Sequence, residues 1–439
     1  MKRYEVGIIG VGGFARSHLD ALEECEHRGW ARLTAAAVRP QDREAQRSTV
    51  EALLARGVRL HSSAEELMAN ERGALDMIVV PTGIDQHASL SIAALDGGFH
   101  VFCEKPAAGT VEEALEMLAA QKRSGRVLAV GFQNLFSPSI NRIKQIALDG
   151  SLGALRSART MVLWPRGSDY YARNEWAGRL AVHGRWIFDS PVQNAVAHFL
   201  QNMLYVAGGN EHDCMEPFEV YAESYRAKPI DSCDTQFLRI RGAGRRGGDG
   251  SASDSGSGDV SDPAGSPAAP GPEITMMVSH ACRDTIEPVS EFLFEHGRIL
   301  WELEPKGTTE LYRLNENGWV LEDLFDNGGE DLGMIKYRAL FDALDEGRPP
   351  HSTIDNALAH TRCVNAAFRD QSGAPAAERI ATIDRRYLDK SNSGTIEGIE
   401  TLIAKMFRSG ASFSEQGAPW GVPGATVRLG HPGGAEQKA

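Results

Sequence analysis

A glycine turn near the start of the chain constrains the fold more than any other feature. Gly10-Val11-Gly12-Gly13-Phe14-Ala15 matches the pattern G-x-G-x-x-A, after a short apolar run (residues 5–10) and before an amphipathic segment (residues 14–27). In a dinucleotide-binding unit the first glycine permits a tight turn, and the second lets the backbone approach a pyrophosphate. The small third position lets the following helix pack closely on the sheet. This context favours a nucleotide site over a generic turn. The predicted contacts are Gly10, Gly12, Gly13, Phe14 and Ala15.

The alternation of strand and helix patterns continues to about residue 135. Short apolar runs lie at residues 32–38, 76–81, 100–103 and 127–131, with amphipathic helical patterns between them. Strands that alternate with helices form parallel sheets covered on both faces. We therefore predict an α/β fold in which residues 1–135 form a Rossmann domain with a doubly wound parallel sheet.

The pattern of strands and helices changes after about residue 150. Longer strand patterns, several with alternating polarity, indicate a second, α+β domain over residues 136–408 with a large, mostly antiparallel open sheet. They cover residues 154–164, 219–226, 235–241, 274–280 and 292–303.

Two segments depart from the composition of a packed domain. Residues 244–272 contain 8 Gly, 6 Ser and 4 Pro, and Val260 is their one branched aliphatic. Such a segment buries too little apolar surface to offset its ordering entropy, so we predict a disordered insertion between two strands. Residues 409–439 are again rich in Gly and Pro and are expected to form an extended tail, with Trp420 as an anchor.

Composition excludes several classes of protein. A net charge of −13 argues against binding nucleic acid. Neither a leader pattern nor an apolar run of the ~18 residues that a membrane helix needs is present, so no membrane association is expected. Six dispersed cysteines without a CxxC pair fit a reducing cytoplasm. The histidines lack ligand spacing, and no metal site is predicted.

The end of the second strand bears on cofactor choice. An acidic residue there would hold the ribose 2′-hydroxyl of NAD, but the sequence reads Val38-Arg39-Pro40. Arg39 could instead pair with the 2′-phosphate of NADP. The alternative is that Arg39 is a solvated surface residue and Asp42 serves the ribose. The cofactor is thus NAD or NADP, with a slight preference for NADP.

The turn Cys103-Glu104-Lys105-Pro106 ends the strand at residues 100–103. Ligands of open α/β sheets bind at the carboxyl ends of the strands. A lysine fixed there could donate a hydrogen bond to a substrate hydroxyl or carbonyl oxygen. A surface ion pair beside a turn proline is the alternative.

Together with the glycine turn, residues 94–106 (ALDGGFHVFCEKP) resemble the Gfo/Idh/MocA family of sugar and cyclitol oxidoreductases. The resemblance extends over about residues 3–410 and is strongest before 135. It implies an active site between the two domains and NAD(P)-linked hydride transfer, with Lys105 in the catalytic machinery. It also implies that the nicotinamide-side contacts are Pro81, Thr82, His87, Glu104 and Lys105.

A polar stripe follows in the second domain. Ser190-Pro191-Val192-Gln193 is a capping-box pattern with proline at the first helical position, which predicts a helix from Pro191 to about Tyr205. Asn194, His198 and Asn202 would share one face of that helix. In the resembled family an Asp is followed four residues later by a His that acts as general base. Here the pair is Asn194 and His198, so the carboxylate is missing.

These two residues are the further catalytic candidates. The pKa of a histidine lies naturally near operating pH, so His198 is the predicted general base. Asn194 can bond a substrate hydroxyl but supplies no charge. Asp189 could supply it, although its ordinary role would be to stabilise the helix N-terminus.

An aromatic and polar segment precedes this helix. Aromatic faces for stacking and donors for hydroxyl groups suit a sugar pocket, although packing between domains or subunits is the alternative. The predicted substrate contacts are Tyr171, Arg173, Asn174 and Trp176, together with Lys105, Asn194 and His198.

The predicted activity is reversible oxidation of a secondary alcohol of a sugar, cyclitol or derivative. Two alternatives stay open: elimination or glycoside cleavage with a tightly bound, recycled NAD, and a non-catalytic nucleotide or sugar sensor. A homodimer or homotetramer is expected, because a large sheet with one uncovered face tends to bury it against another subunit.

Overall fold

The computed structural model of the protein describes residues 2–243, 270–303, 307–329, 331–370, 372–390 and 393–430. Six strands form its N-terminal sheet: β1 Tyr4–Ile9, β2 Ala31–Ala37, β3 Arg59–His61, β4 Met77–Val80, β5 His100–Cys103 and β6 Leu128–Val130. They pair in parallel in the order β3-β2-β1-β4-β5-β6, which is the order of a dinucleotide-binding fold. The predicted Rossmann sheet is confirmed.

Helices cover both faces of this sheet. They are α1 Ala15–His27, α2 Arg47–Ala55, α3 Ala64–Asn70, α4 Ile84–Asp96 and α5 Val111–Ser124. Because both faces are covered, β4 is buried at all four positions and reads as an uninterrupted apolar run. Polar residues cap two of the helices: Ser63 accepts a hydrogen bond from the backbone N–H of Glu66, and Thr110 accepts one from that of Glu113.

The remaining strands form a small hairpin and a large sheet. They are β7 Leu155–Leu163, β8 Ala181–Val182, β9 Arg185–Trp186, β10 Pro217–Arg226, β11 Thr235–Ala243, β12 Pro270–Ser279, β13 Ile286–Phe294, β14 Gly297–Glu302, β15 Thr309–Asn315, β16 Gly318–Phe325, β17 Ile380–Thr382 and β18 Ala425–Arg428. The large sheet runs β16-β15-β14-β13-β7-β12-β11-β10-β17, with β18 also paired to β10. Its pairs are antiparallel except β7–β12 and β10–β17, so the predicted, mostly antiparallel sheet is confirmed.

Helices pack on both faces of the large sheet as well. They are α6 Pro138–Asp149, α8 Ala197–Val206, α10 Ile354–Phe368 and α11 Ile399–Ser409. The short α7 Ser168–Ala172 and α9 Leu332–Glu346 lie elsewhere. Alternate residues of β12 serve the two faces. Met276 and Val278 pack in the core that includes α6, α8 and α10, whereas Met277 packs with α11.

Helix α9 belongs to the N-terminal domain in space, although it follows the large sheet in sequence. The ring of Phe341 stacks on that of Tyr4 with 4.9 Å between centroids, and Tyr337 lies against His18. Both aromatic residues of α9 are fully buried in the core formed by β1, β2 and α1. The Rossmann sheet is therefore completed by a helix from the other end of the chain.

Two boundaries differ from the sequence predictions. Residues 292–303, expected as one strand, form the end of β13 and all of β14, because the chain turns at residues 295–296. Residues 270–272, expected at the end of the insertion, already lie in β12; residues 244–269 of that predicted insertion lie outside the described residues.

The chain after Ser409 is packed as far as it is described. The indole of Trp420 contacts the rings of Tyr225 and Phe413, at centroid distances of 4.9 and 5.1 Å, and β18 pairs with β10. Trp420 is thus an anchor, but this part of the expected extended tail is an integral layer over the large sheet.

That layer changes the argument for oligomerisation. The face of β7, β11 and β12 that was expected to be open is covered by α11 and the chain after it. Large apolar side chains remain exposed on β15 and β16, at Leu314, Trp319, Val320, Leu321 and Leu324.

None of the helices in the described ranges combines the length and the apolar character that crossing a bilayer requires.

Candidate active site

The glycine turn forms one wall of a cleft of about 860 Å³ between the two domains. Gly10 and Gly13 have φ angles of +87° and +59°, a backbone conformation that favours glycine. A Cβ atom at Gly12 would lie 2.8 Å from Nε2 of Gln46. The turn is therefore open because residue 12 has no side chain. α1 starts immediately after the turn, and its N-terminal N–H groups are suited to a pyrophosphate. This wall fits a dinucleotide.

Arg39 and Asp42, the two alternatives for the adenosine side, form an ion pair. Nε of Arg39 lies 2.6 Å from Oδ2 of Asp42, and both residues line the cleft. The guanidinium of Arg39, which could bind the 2′-phosphate of NADP, therefore already forms an ion pair with a carboxylate. The pair is exposed, so it does not decide between NAD and NADP.

Pro81, Thr82 and His87 line the cleft beyond the glycine turn. The buried ring of His87 lies between two carbonyl oxygens, with Nδ1 2.8 Å from O of Pro106 and Nε2 3.0 Å from O of Thr82. Burial opposes a charge on the ring, but Cys103 and the two carbonyls outweigh it and raise its pKa to about 9. A protonated ring donates to both carbonyls and ties the Thr82 loop to the Lys105-Pro106 turn.

Glu104 is the centre of a buried charge network. Its carboxylate accepts hydrogen bonds from Nε2 of His18 (3.0 Å) and from the backbone N–H of Lys105 (3.1 Å). Nζ of Lys336, on α9, lies 3.9 Å from it. Burial opposes ionisation, but the His18 bond and the positive charges of Lys336 and Lys105 bring the pKa of Glu104 down to about 2. Glu104 also lines the cleft, at the end of β5.

Lys105 projects into the cleft from the same turn, where the Lys105-Pro106 peptide bond is cis. Its Nζ donates to the backbone oxygen of Asn194 (2.7 Å) and to Oδ1 of Asn194 (3.1 Å). Burial lowers the pKa of Lys105. An ammonium has three N–H donors, so one remains for a ligand oxygen. The structure thus brings together two residues, Lys105 and Asn194, that are far apart in sequence.

Asp189 supplies a carboxylate to this pair. Nδ2 of Asn194 donates to Oδ1 of Asp189 (3.0 Å), and Oδ2 of Asp189 accepts the N–H of Gly178 (2.6 Å). Burial raises the pKa of Asp189 to about 6, although Gly178, Arg173, Asn194 and Lys105 lower it in part. Asp189 is therefore linked to Lys105 through the Asn194 amide. Asp189, five residues before Asn194, thus supplies the carboxylate that Asn194 lacks.

The predicted helix over residues 191–205 is two elements. Pro191–Ala195 forms a π-helical turn, capped by the Ser190 hydroxyl, and α8 starts only at Ala197. The polar stripe was predicted on the assumption that residues four apart share one face of a continuous α-helix. A π-helical turn has more residues per turn, so Asn194 does not share a face with His198 and Asn202. Asn194 lines the cleft, whereas His198 and Asn202 are not among its lining residues.

The two remaining members of the stripe are buried polar groups. Burial, followed by the charge of Lys105, lowers the pKa of His198 to about 3, so its ring is neutral near pH 7. Its Nδ1 has no hydrogen-bond partner among the described residues, and neither do the amide atoms of the fully buried Asn202. The ring edge of His198 contacts Phe132.

The aromatic segment forms another wall of the cleft. Of the predicted substrate contacts, Arg173, Asn174 and Trp176 line the cleft. Tyr171 does not; its neighbour Tyr170 takes that place. The sequence could not choose between two adjacent tyrosines, because α7 is one short turn whose orientation depends on tertiary packing. Gln46 and Gln86 also line the cleft and carry no motif that would have singled them out.

Comparison with known proteins matches this architecture. A family described as an oxidoreductase family with an NAD-binding Rossmann fold matches residues 4–132. Inositol 2-dehydrogenase 2 of Saccharopolyspora erythraea is 29% identical over 201 residues, covering 44% of this chain and 56% of that protein. D-Apiose dehydrogenase of Paraburkholderia graminis is 31% identical over 183 residues, covering 40% and 45%. The chain thus matches about half the length of these relatives.

Solved structures extend the similarity to the second domain at the level of the fold. An oxidoreductase domain protein from Kribbella flavida superposes with a TM-score of 0.66 at 20% identity, covering 83% of this chain and 96% of that one. A levoglucosan dehydrogenase in complex with NADH gives a TM-score of 0.64 at 17% identity, covering 83% and 96%. The arrangement of both sheets is therefore shared with these proteins.

Proposed function

We propose an activity for the whole chain on the premise that residues 4–132 match the Gfo/Idh/MocA family of NAD-binding Rossmann oxidoreductases. It is an oxidoreductase that transfers a hydride between a nicotinamide cofactor and a secondary alcohol of a sugar, cyclitol or sugar derivative. The observation that carries the proposal is the position of Lys105. Its amine faces a nucleotide-sized cleft and is held by Asn194.

The glycine turn, the end of β2 and the Thr82 loop would hold the cofactor. A bound nicotinamide ring supplies the hydride acceptor for alcohol oxidation and the donor for the reverse reaction. The ion pair between Arg39 and Asp42 favours NAD in our proposal, because a 2′-phosphate would meet the Asp42 carboxylate. The NADH complex of levoglucosan dehydrogenase is consistent with this choice for a related fold.

Lys105 would hold the substrate oxygen and exchange a proton with it. In the oxidation direction the neutral amine accepts the hydroxyl proton, and in reduction the ammonium donates one to the carbonyl oxygen. Burial lowers the pKa of Lys105 and so makes the neutral form more accessible than in water. Asn194 fixes the position of the amine, and Asp189 fixes the amide of Asn194.

His198 is the second candidate for the proton acceptor. Its neutral ring can accept a proton, but a pKa of about 3 makes it a weak base. We therefore assign the main role to Lys105. Lys105→Met should lower kcat by about 10²–10⁴-fold, the usual contribution of a positioned acid or base, and His198→Asn should lower it less.

The test follows nicotinamide reduction by the purified protein with inositols, apiose, levoglucosan and sugar acids, using NAD⁺ and NADP⁺ in parallel. Turnover that is lost in Lys105→Met and is faster with NAD⁺ supports the proposal. Turnover that survives in Lys105→Met but not in His198→Asn would reassign the base. Absence of turnover with nucleotide retained through purification would instead favour a recycled cofactor.

A further inference from the structure

We infer that the substrate of this site carries an oxyanion, a carboxylate or phosphate group, which Arg166 and Arg173 bind beside the ring of Tyr170. The inference rests on the proposed function, because it places the anionic group relative to Lys105. It makes the substrate class an acidic polyol, such as a sugar acid or sugar phosphate, in place of a neutral sugar.

Arg173 is the first member of this arginine pair. Its guanidinium carbon lies 3.6 Å from the centroid of the Tyr170 ring and 4.9 Å from that of Trp176, and Nη1 donates to the backbone oxygen of Tyr170 (2.5 Å). These contacts hold the charged group at the cleft wall. No carboxylate of the described chain lies within 4 Å of it, so its charge is positioned but not neutralised by an ion pair.

Arg166 brings a second positive charge to the same ring. Its guanidinium carbon lies 4.8 Å from the Tyr170 centroid and 5.4 Å from that of Trp164. Its Nε is buried and has no hydrogen-bond partner in the described ranges, where the guanidinium also makes no ion pair. Two like charges at one tyrosine ring repel each other, and an anion that contacts both guanidinium groups would remove that cost.

A third arginine of this part of the chain differs from Arg166 and Arg173 in having a carboxylate partner. Arg179, in the same segment, pairs with Asp231 at 2.8 Å, although both side chains are more than half exposed. A guanidinium presents a planar fork of donors that matches a carboxylate or a phosphate. The absence of such a partner for Arg166 and Arg173 therefore points to a ligand that supplies it.

Two neighbouring polar atoms are also buried without partners. They are the hydroxyl oxygen of Tyr171 and Nε2 of His280. Nδ1 of His280 is bonded to O of Trp164 at 2.8 Å, and burial lowers the pKa of the ring to about 3, so Nε2 carries a lone pair. A buried polar group left unpaired costs about 1–3 kcal/mol. The Tyr171 hydroxyl and this lone pair suit the hydroxyl groups of a polyol.

The carboxylates of this region do not cancel the positive charge. Both oxygens of Asp189 are occupied by Gly178 and Asn194. Glu175 lies 3.4 Å from His183, and Asp169 is exposed on α7. Arg173 lines the cleft together with Lys105 and the buried carboxylate of Glu104. Arg166 contacts the ring of Tyr170, which also lines the cleft, and neither guanidinium has a carboxylate partner among the described residues.

The experiment measures binding, so that it does not depend on turnover. Isothermal titration of the NADH-loaded protein would use matched pairs: glucose with glucuronate and glucose 6-phosphate, galactose with galacturonate, and myo-inositol with inositol 1-phosphate. Arg166→Gln and Arg173→Gln are compared with Arg179→Gln, which removes a guanidinium of the same segment that is already paired with Asp231. NADH affinity of each variant is measured first.

We expect the acidic member to bind at least about tenfold more tightly in one or more pairs, since hydrogen bonds to charged groups are the stronger ones. That preference should be lost in Arg166→Gln and Arg173→Gln and kept in Arg179→Gln. The acid that binds most tightly shows whether the anionic group of the substrate is a carboxylate or a phosphate. An equal response within every pair, including no response at all, overturns the inference. A parallel loss of NADH affinity in Arg173→Gln also overturns it, because the arginine would then serve the cofactor.

The same reagents separate this inference from the proposed function. Oxidation of neutral sugars with no preference for acids leaves the oxidoreductase standing and removes the anion subsite. Tight binding of an acid without nicotinamide reduction by any member of the panel leaves the subsite standing and contradicts the proposed activity.

Discussion

Replacing Glu104 with glutamine should destabilise the protein by about 3 kcal/mol, because the change removes the counter-charge of a buried cation. Glutamine keeps an oxygen to accept the hydrogen bond from His18, so the substitution deletes charge and little volume. Lys336 is 3% exposed, and in the described part of the chain Glu104 is the one carboxylate within 4 Å of its Nζ. The variant therefore leaves that ammonium buried and unpaired.

The magnitude follows from the two states open to Lys336. If it stays charged, breaking a buried pair costs about 3–5 kcal/mol. If it loses its proton at pH 7, the cost from an ordinary pKa of about 10.4 is at most about 4.6 kcal/mol, at 1.36 kcal/mol per unit. Burial has already lowered the pKa of Lys336, and the separation of 3.9 Å is longer than that of a hydrogen-bonded pair. Both facts place the loss near the lower end.

Urea unfolding followed by tryptophan fluorescence measures this loss. The double variant Glu104→Gln/Lys336→Met should recover about 2 kcal/mol, because it removes the stranded charge together with its partner. Glu24→Gln is the matched control: its ion pair with Arg28 is exposed, and such pairs contribute about 0–1 kcal/mol. A loss below about 1 kcal/mol in Glu104→Gln, or a double variant no more stable than the single one, would refute the reasoning.

Further predictions concern the cofactor, the link from Asp189 through Asn194 to Lys105, the Thr82 loop and the C-terminal layer. Gly12→Ala should fold, because the group its Cβ meets is the mobile end of a side chain, but should bind NADH at least about tenfold more weakly in a fluorescence titration. Asp189→Asn should abolish the fall in kcat/KM as pH drops through about 6, where protonation of Asp189 would remove its charge from the Asn194 amide; an unchanged acidic limb contradicts this role. His87→Gln should reduce the loss of stability as pH rises from about 6.5 to about 9, since a folded pKa above the unfolded value stabilises the protein below that window. Trp420→Ala should cost about 3–5 kcal/mol in urea unfolding, and a loss within 1 kcal/mol would show that the C-terminal layer is not tightly packed.

The first domain was predictable because its signals are local. The glycine turn, the buried strands and the end of β5 are each specified within a few residues, and the parallel pairing follows from the alternation of elements. The cofactor wall and the position of Lys105 at a strand end could therefore be derived from the sequence alone. The boundary of the hairpin at residues 295–296 could not, because an apolar run does not show where it turns.

The errors at the site arise from geometry that periodicity does not encode. The stripe that included His198 assumed continuous α-helical spacing, and one π-turn at Pro191–Ala195 ended it. The preference for NADP stays a prediction; it considered Arg39 as a single side chain, and the structure adds an ion pair with Asp42 three residues later. The contacts of Glu104 with Lys336 and of Lys105 with Asn194 join residues 232 and 89 positions apart. Such pairs depend on the tertiary fold.

The placement of α9 also restricts how the cleft can move. Enzymes built from two domains often close by rotation about a hinge. Here the first domain is tied to the second at two points, after β6 and again where α9 returns to pack on Tyr4 and His18. A large rotation would have to pull α9 out of that core or bend the chain on both of its sides. We therefore expect the two domains to rotate little on ligand binding, so that adaptation to different substrates would come from those side chains of residues 170–176 that line the cleft.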